Sequence, residues 1–420
     1  MLNNNFENSS KINYKTSILK INLVKIVGIL FFIFACIPWV NFGLNDYDSQ
    51  PWAFILSCIF LLLISNKIFI PKNFIPIFFL IVIGLIFSIL ITTSADTFTI
   101  LRAIVMYLTL PIMYIAFYNY FVRYNFPIKI FIFINFLWIF FGLLEIYYPE
   151  FISSISHIRS DPSRGQTSLA PEATYFGIYL FFTSWILIEA NRFKINNKLK
   201  LVLLTNLMFI IFLTKSSMVI FFLLIVFIII FLEKVRFFLL NFLIYKKNIL
   251  TFLKYFFFIS VFLFFFWDLL EGSRFNFLLN RLSNYSISEI MMMDDSINSR
   301  IESVFFSVIG SLNNFLIPGG FDTFIDTRKD LLETYNLYNF LLNKVESNKI
   351  MSWVGSILYG LGIFGLLSII LFYKAIYQSF RGSSLYYGLI FLILLSAVPV
   401  AFPLIPMMFA LMVFNKKKLT

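Results

Sequence analysis

The sequence predicts an all-α, polytopic transmembrane helical bundle of about 12 spans, with N- and C-termini cytoplasmic and two longer loops on the outer face. Three observations carry this expectation. Of 420 residues, 60% are apolar and 13% charged, against about 45–50% and about 25% in a soluble domain, and the mean hydropathy is +0.88. The apolar residues come in continuous runs such as FFLLIVFIIIFLE, whereas strands of an outer-membrane barrel would alternate over roughly ten residues. Basic residues concentrate on every second connection between the runs, as the positive-inside rule requires. A soluble enzyme with a single membrane anchor is excluded by the same figures.

In chain order, residues 1–22 form a polar cytoplasmic tail containing Lys11, Lys15 and Lys20. The run after Lys25, IVGILFFIFACIPWVNF, is long for a signal-peptide core and no small-residue cleavage site follows it, so it reads as an uncleaved first span. Further runs lie near 51–65, 75–92, 98–120, 128–148, 174–190, 199–214, 216–233, 252–269 and 352–374. The stretch 384–414 would be a helix of ~46 Å, too long for one crossing of a ~30 Å slab. Pro399, Pro403 and Pro406 split it into a tight hairpin, because proline interrupts helix bonding. Residues 23–414 then form a single transmembrane domain, with outer loops 147–173 and 270–351 and a cytoplasmic tail at 415–420.

Charge tests this count. Twelve spans starting from the inside place 22 of the 33 Lys and Arg, and three of the 21 acids, on the inner side. Eleven spans would put Lys416, Lys417 and Lys418 on the wrong side. The net charge of +12 is therefore a topology signal, and nucleic acid is not an expected partner. Trp39, Trp52, Trp267 and Trp353 fall at outer ends of spans, the position of an aromatic belt. The 58 phenylalanines read as generic lipid-facing bulk. Cys36 and Cys58 each lie inside an apolar run and read as small hydrophobes, since a disulfide framework or zinc site needs clustered ligands.

The inner connections are short and the loop material lies outside, which is where long loops predict function. The first long loop, HIRSDPSRGQTSLAPEATYFG, places Arg159, Asp161, Arg164 and Glu172 just before a span, with Pro162, Gly165 and Pro171 fixing its turns. Arginine suits diphosphate because its planar fork makes two parallel charge-assisted bonds. Glu172 and Tyr175 stand at the lip of the span, where a charge needs a partner. The second loop brings together Arg281, Asp294, Asp295, Ser296 and Arg300, then an apolar stretch and Pro318-Gly319-Gly320. Such a turn lets backbone approach a ligand closely; Asp294 serves equally well as a cap for the helix holding Arg300. The apolar stretches of this loop predict helices lying on the membrane's outer face. Arg102 and Glu145 fall near outer ends of spans and read first as side chains snorkelling to the interface, second as lining of an outward cavity. His157 reads as a plain loop residue.

Taken together, R-G-x5-P-E entering a middle span, R-L…S-x3-R…P-x-G-F in a large outer loop and SWVGSILYGLGIFGLL in the next span resemble the O-antigen polymerase and ligase superfamily. LTKSSMVIFFLL is similar to that family's Thr-x-Ser span start, with Lys215 and Ser216 departing from the usual Ser-Arg. The resemblance covers roughly residues 160–370. It implies an inner-membrane enzyme that joins repeat units carried on undecaprenyl diphosphate at the outer face, with no cofactor, metal or nucleotide sugar. Its implied partners besides the lipid bilayer are a chain-length regulator and other membrane proteins of polysaccharide assembly. Arg164 and Arg300 match the family's loop arginines, and Glu172 its acidic residue before the following span. The ligase branch keeps a histidine in the large loop, and here His157 lies in the other one, which favours polymerase over ligase.

The expected chemistry uses arginines to stabilise the diphosphate leaving group and a carboxylate to take the acceptor hydroxyl's proton. Glu172 is the first choice of base, Asp294 or Asp295 the second. Two competing classes stay open. Asp46-Tyr47-Asp48 in the first outer loop fits a lipid-phosphate-sugar glycosyltransferase. A lipid-linked oligosaccharide flippase would instead need ionisable residues deep in the spans.

Overall fold

The computed structural model describes residues 22–41, 49–92, 95–156, 165–191, 194, 196–242, 285–286, 289, 295–336, 348–379, 384–396 and 398–417. Its first half contains α1 (Asn22–Cys36), α2 (Trp52–Leu63), α3 (Ile75–Ile91), α4 (Thr97–Tyr124), α5 (Ile128–Tyr147), the short α6 (Pro149–Ile155) and α7 (Ala173–Ala190). There follow α8 (Asn197–Phe209), prolonged by a π-turn over Ile210–Thr214, and α9 (Ser217–Phe242). After these come α10 (Asp295–Asn313), α11 (Phe324–Thr334), α12 (Trp353–Ser379), α13 (Ser384–Ser396) and α14 (Leu404–Lys417). Among the described residues six helices, α3, α4, α5, α7, α8 and α12 with their adjoining turns, are long and apolar enough to cross a membrane, and α1, α2, α9 and α14 are shorter apolar helices. The protein is thus an all-helical membrane protein; the apolar run near 252–269 lies outside the described residues. The helices of the last hairpin are interrupted between Ser396 and Leu404, at Pro399 and Pro403. Pro406 sits in the first turn of α14, where a missing N–H removes no helical bond.

Contacts between connections sort the bundle into two ends. At one end Asn41 N–H donates to the Ile155 carbonyl (2.9 Å), Gln166 N–H to Leu213 (2.9 Å) and Phe321 N–H to the Thr92 hydroxyl (2.8 Å), and Val40 bridges Ser156. At the other, Asn119 holds both the N–H (2.8 Å) and the carbonyl (2.9 Å) of Phe69, Arg123 reaches the Lys67 carbonyl, and Asn415 donates to Glu189. Every segment at the first end is one that charge placement assigns to the outside, and every segment at the second is one assigned to the inside.

The interior is lined by α4, α7 and α14. Across α5, α7 and α8 runs a buried polar chain: Asn135 donates to Asn206 (2.8 Å), Asn206 to Ser184 (2.9 Å) and Thr183 to Asn135 (3.1 Å). Such bonds join helices that hydrophobicity cannot hold together in lipid. Aromatic residues do the remaining packing, and here two expectations are corrected. Phe31, Phe32, Phe60, Phe117, Phe121, Phe131, Phe176 and Phe182 are among the largest fully buried side chains, so phenylalanine is core as much as lipid-facing bulk. Trp39 and Trp353 stand at helix ends but their rings are buried. Trp39 packs against Trp138 (5.8 Å), Tyr175 (5.5 Å) and Phe402 (5.4 Å) instead of facing headgroups. Trp267 lies outside the described residues.

A third correction concerns 352–374, expected as one continuous span. The helix α12 is broken at Gly362 (φ 56°, ψ −133°). The Ile363 N–H, deprived of its helical acceptor, donates to the Leu316 carbonyl at 2.7 Å. A Cβ at Gly362 would collide with that oxygen and lie 2.6 Å from Pro318 N. The approach of α10 to α12 is made by small residues: Ser303, Ser307 and Ser311 are buried, and Gly355 leaves room for the Ser307 hydroxyl. The large outer loop therefore does not simply lie on the surface, for α10 runs down along α12.

Gly362→Ala forces alanine into a positive-φ region that essentially only glycine occupies (φ 56°, ψ −133°), a strain of about 1–3 kcal/mol, as well as the collision with Leu316. It will lower the thermal unfolding midpoint in detergent clearly. Gly388→Ala, with nothing within 4 Å of its added carbon, will leave the midpoint unchanged or raised.

Candidate functional site

The residues singled out for diphosphate chemistry belong to two outer segments, and these meet at the corner between α8 and α9. The corner is tight. The Thr214 hydroxyl bonds back to the Ile210 carbonyl (2.8 Å), Lys215 takes a left-handed conformation (φ 46°, ψ 21°), and α9 begins two residues later. Against it lies the loop entering α7. Gly165 has φ +112°, and a Cβ there would collide with the Thr214 carbonyl oxygen and lie 2.8 Å from that of Leu213. Glycine is thus required by contact as well as by conformation. Ser216, buried in the corner, shares a hydrogen bond with Thr174 in the first turn of α7 (3.3 Å).

The loop is anchored from beneath by Glu145. Its carboxylate accepts the Thr167 N–H (2.7 Å), the Thr167 hydroxyl (2.8 Å) and the Ser168 N–H (2.6 Å), and the residue is buried. Sequence analysis expected this side chain to snorkel; three donors offset its desolvation and keep it inside. Ser168, with φ 54°, donates its hydroxyl to the Trp138 carbonyl (2.6 Å), so the turn is clamped on both sides. Glu172 then takes the N-cap position of α7 with extended backbone, its side chain making no cap hydrogen bond; the residue is half-buried.

From the second segment, α10 brings Arg300, whose guanidinium contacts the Met218 sulfur in the first turn of α9. Asp295 is the first residue of that helix. Gly319 donates its N–H to the Tyr359 carbonyl (2.8 Å), and its face is covered by the Tyr359 ring, three atoms of which would lie within 2.8 Å of a Cβ. Gly320 has φ +83° and packs by Thr92. Tyr175 is buried against Trp39, and Arg102 is exposed on the second turn of α4. Asp46, Asp48, His157, Arg159, Asp161, Arg164, Arg281 and Asp294 lie outside the described residues. The contacts thus bring Arg300, Met218, Ser216, Thr174 and Glu172 into one chain of neighbours, and place Tyr359, Gly319 and Gly320 in a second cluster around α12.

Sequence reasoning missed a charged pair between α10 and α11. Glu302 and Arg328 are both buried, with Arg328 Nε 3.6 Å from Glu302 Oε2. Burial pushes the Glu302 carboxyl up to about 7, against the lowering effect of the Arg328 cation. Neighbouring on α12, the Tyr359 hydroxyl meets Thr327 (2.7 Å) and Thr323 (3.0 Å). The only sequence signal was the two charges themselves, and nothing in their spacing joins them.

Among the described residues no group of three or more His, Cys, Asp or Glu is placed to hold a metal ion. No protein family, characterised protein or solved structure matches the chain.

Two outcomes test this geometry. Glu145→Ala leaves the Thr167 and Ser168 amides without their acceptor, a loss of about 2–3 kcal/mol. It should expose residues 165–170 to protease at concentrations that spare the parent. Glu302 has a folded value above its unfolded one, so its contribution is present at acid pH and is lost as pH rises through about 7. Hydrogen exchange in α11 will accelerate between pH 5.5 and 8 beyond its intrinsic pH dependence, and Glu302→Gln will remove that excess.

Proposed function

We propose that this chain is a polysaccharide polymerase of the bacterial inner membrane that joins undecaprenyl-diphosphate-linked oligosaccharide repeat units at the outer face. In this reading it crosses the membrane 12 times with both termini cytoplasmic, and the end bearing Asn41, Thr92 and Lys215 faces outward. One observation carries the reading. The two segments whose arginines are suited to diphosphate converge on one corner, Gly165 seated on Thr214 and Arg300 on Met218. Two residues before Thr174, which is hydrogen-bonded to Ser216 of that corner, stands a carboxylate, Glu172, not engaged in capping its own helix.

The chemistry follows from the charges. The acceptor hydroxyl oxygen attacks the anomeric carbon of the donor sugar, forming one C–O bond as the C–O bond to the lipid diphosphate breaks. Arg164 and Arg300 hold the diphosphate as it leaves with the electron pair, in a partly dehydrated site where such stabilisation is strong. Glu172 takes the hydroxyl proton as general base, with Asp294 or Asp295 the second choice. Arg159, Arg281, Asp294, Asp295 and Arg102 supply the surrounding substrate contacts, whereas Tyr175, buried against Trp39, and Gly319 and Gly320, packed on Tyr359 and Thr92, act as framework.

Reconstituted protein given a lipid-linked repeat unit from the outside tests the proposal, because polymerisation then needs no translocation. Arg164→Ala and Arg300→Ala should each lower chain elongation by about 100-fold or more at unchanged protein level and thermal midpoint. Normal chain lengths in both variants end the assignment. Loss of activity on replacing Asp46 and Asp48 by alanine would favour the lipid-phosphate-sugar transferase instead.

A further inference from the structure

Between Glu302 and Asp322 the large outer loop carries no charged residue, and this stretch reads SVFFSVIGSLNNFLIPGGF. It comprises the end of α10, a turn and the approach to α11. Its depth can be set against α3 and α12. Ser88 of α3 bonds to the Gly360 carbonyl, Gly84 packs against Leu361 and Phe364, and Phe87 stacks on Phe364 at 5.2 Å. The break at Gly362 is therefore level with residues 84–88 of a spanning helix, roughly 6–12 Å below the end of α3. The Leu316 carbonyl is hydrogen-bonded into that break, so the turn lies at the same depth. Five residues later the chain is back at Thr92, where Phe321 N–H is bound.

Three apolar side chains of this insertion are exposed, Phe315 by 89%, Leu312 by 53% and Ile317 by 49%, as are Ile363, Leu367 and Ile370 of α12. The two exposed asparagines between them are occupied, Asn313 with the Tyr335 hydroxyl (3.2 Å) and Asn314 with the Ile317 carbonyl (3.3 Å). We infer that residues 312–317 form a re-entrant wedge whose outward apolar side chains are immersed in the acyl chains of the outer leaflet, while its backbone is seated in the opened turn of α12. The two halves of the arrangement need each other. Irregular backbone is tolerated at hydrocarbon depth only where protein satisfies it, and Ile363 N–H with Leu316 provides that partner. A run of this length is too short to enter and leave a whole bilayer as two helices but sufficient for half of it.

The wedge is independent of the activity proposed above, so its test reads position in the membrane. A cysteine is placed at Phe315, Leu90 or Lys329 in a Cys36→Ala/Cys58→Ala background. Each is labelled with an environment-sensitive fluorophore in vesicles of phosphatidylcholine and phosphatidylglycerol. Leu90 (73% exposed on α3) and Lys329 (a charged, exposed position on α11) are the references. The label at 315 should match that at 90, with blue-shifted emission, strong quenching by lipids spin-labelled in mid-chain, and several-fold less quenching by aqueous iodide than at 329. Iodide quenching at 315 equal to that at 329 overturns the proposal. Protection from both quenchers also overturns it, since the turn would then be covered by protein, such as a second copy. The unaltered protein gives a second measurement: a lipid with a photoreactive group in its acyl chain should leave adducts on the peptide 303–321. Adducts on the spans with none on that peptide overturn the wedge.

Discussion

Away from water each backbone N–H and carbonyl needs a partner inside the protein, and the end of this bundle bearing Asn41, Thr92 and Lys215 is organised by how that requirement is met. The carbonyl of Leu213, freed where α8 widens into a π-turn and ends, accepts Gln166 N–H. The amides of Thr167 and Ser168 find the Glu145 carboxylate. Ile363 N–H, released by the break in α12, finds Leu316. In the first and third cases the interruption of a helix supplies the freed backbone group, and in the second a buried side-chain carboxylate takes its place. The outer segments are consequently attached at defined points of the membrane-embedded framework, which is how loop residues acquire fixed positions over it.

These attachments leave the two outer segments unequally supported. The loop preceding α7 rests on one of the most buried spans, and α7 is tied to α5 and α8 through Thr183, Ser184, Asn135 and Asn206. The α10–α11 unit has a small core of its own, formed by Phe306, Phe324, Leu331, Leu332 and Tyr359, and a buried ion pair at 3.6 Å. Burying such a pair costs desolvation that attraction repays only with good geometry. One side of the corner thus rests on a buried span, and the other on its own small core and on α12.

Most of the helices were legible in the sequence because length and continuous hydropathy suffice to mark an apolar helix, and the last hairpin because prolines interrupt it. What hydropathy could not reveal is which side of each helix faces inward. Lipid tails are as apolar as leucine, so Phe117, in the core, and Phe133, exposed, carry the same signal. The break at Gly362 was equally hidden, since glycine is common in transmembrane helices and the segment that fills the break comes from a distant loop. Of the candidate site, Glu172, Arg300 and the glycine after Arg164 were recognisable by residue type. Glu145 was not, because its partners are mainly backbone amides, which leave no trace in a sequence.

The stacking of Trp39 on Phe402 (5.4 Å) joins the exit of the first helix to the connection before the last. Nearly the whole polypeptide is synthesised between them. Until the final hairpin enters the bilayer, Trp39 has lost one face of its aromatic nest, and the groove beside α4 and α7 that α14 occupies stands open to lipid. Closure of the bundle is therefore a late event of biogenesis, and chains arrested before the last hairpin would present an incomplete seam to the quality-control machinery of the membrane.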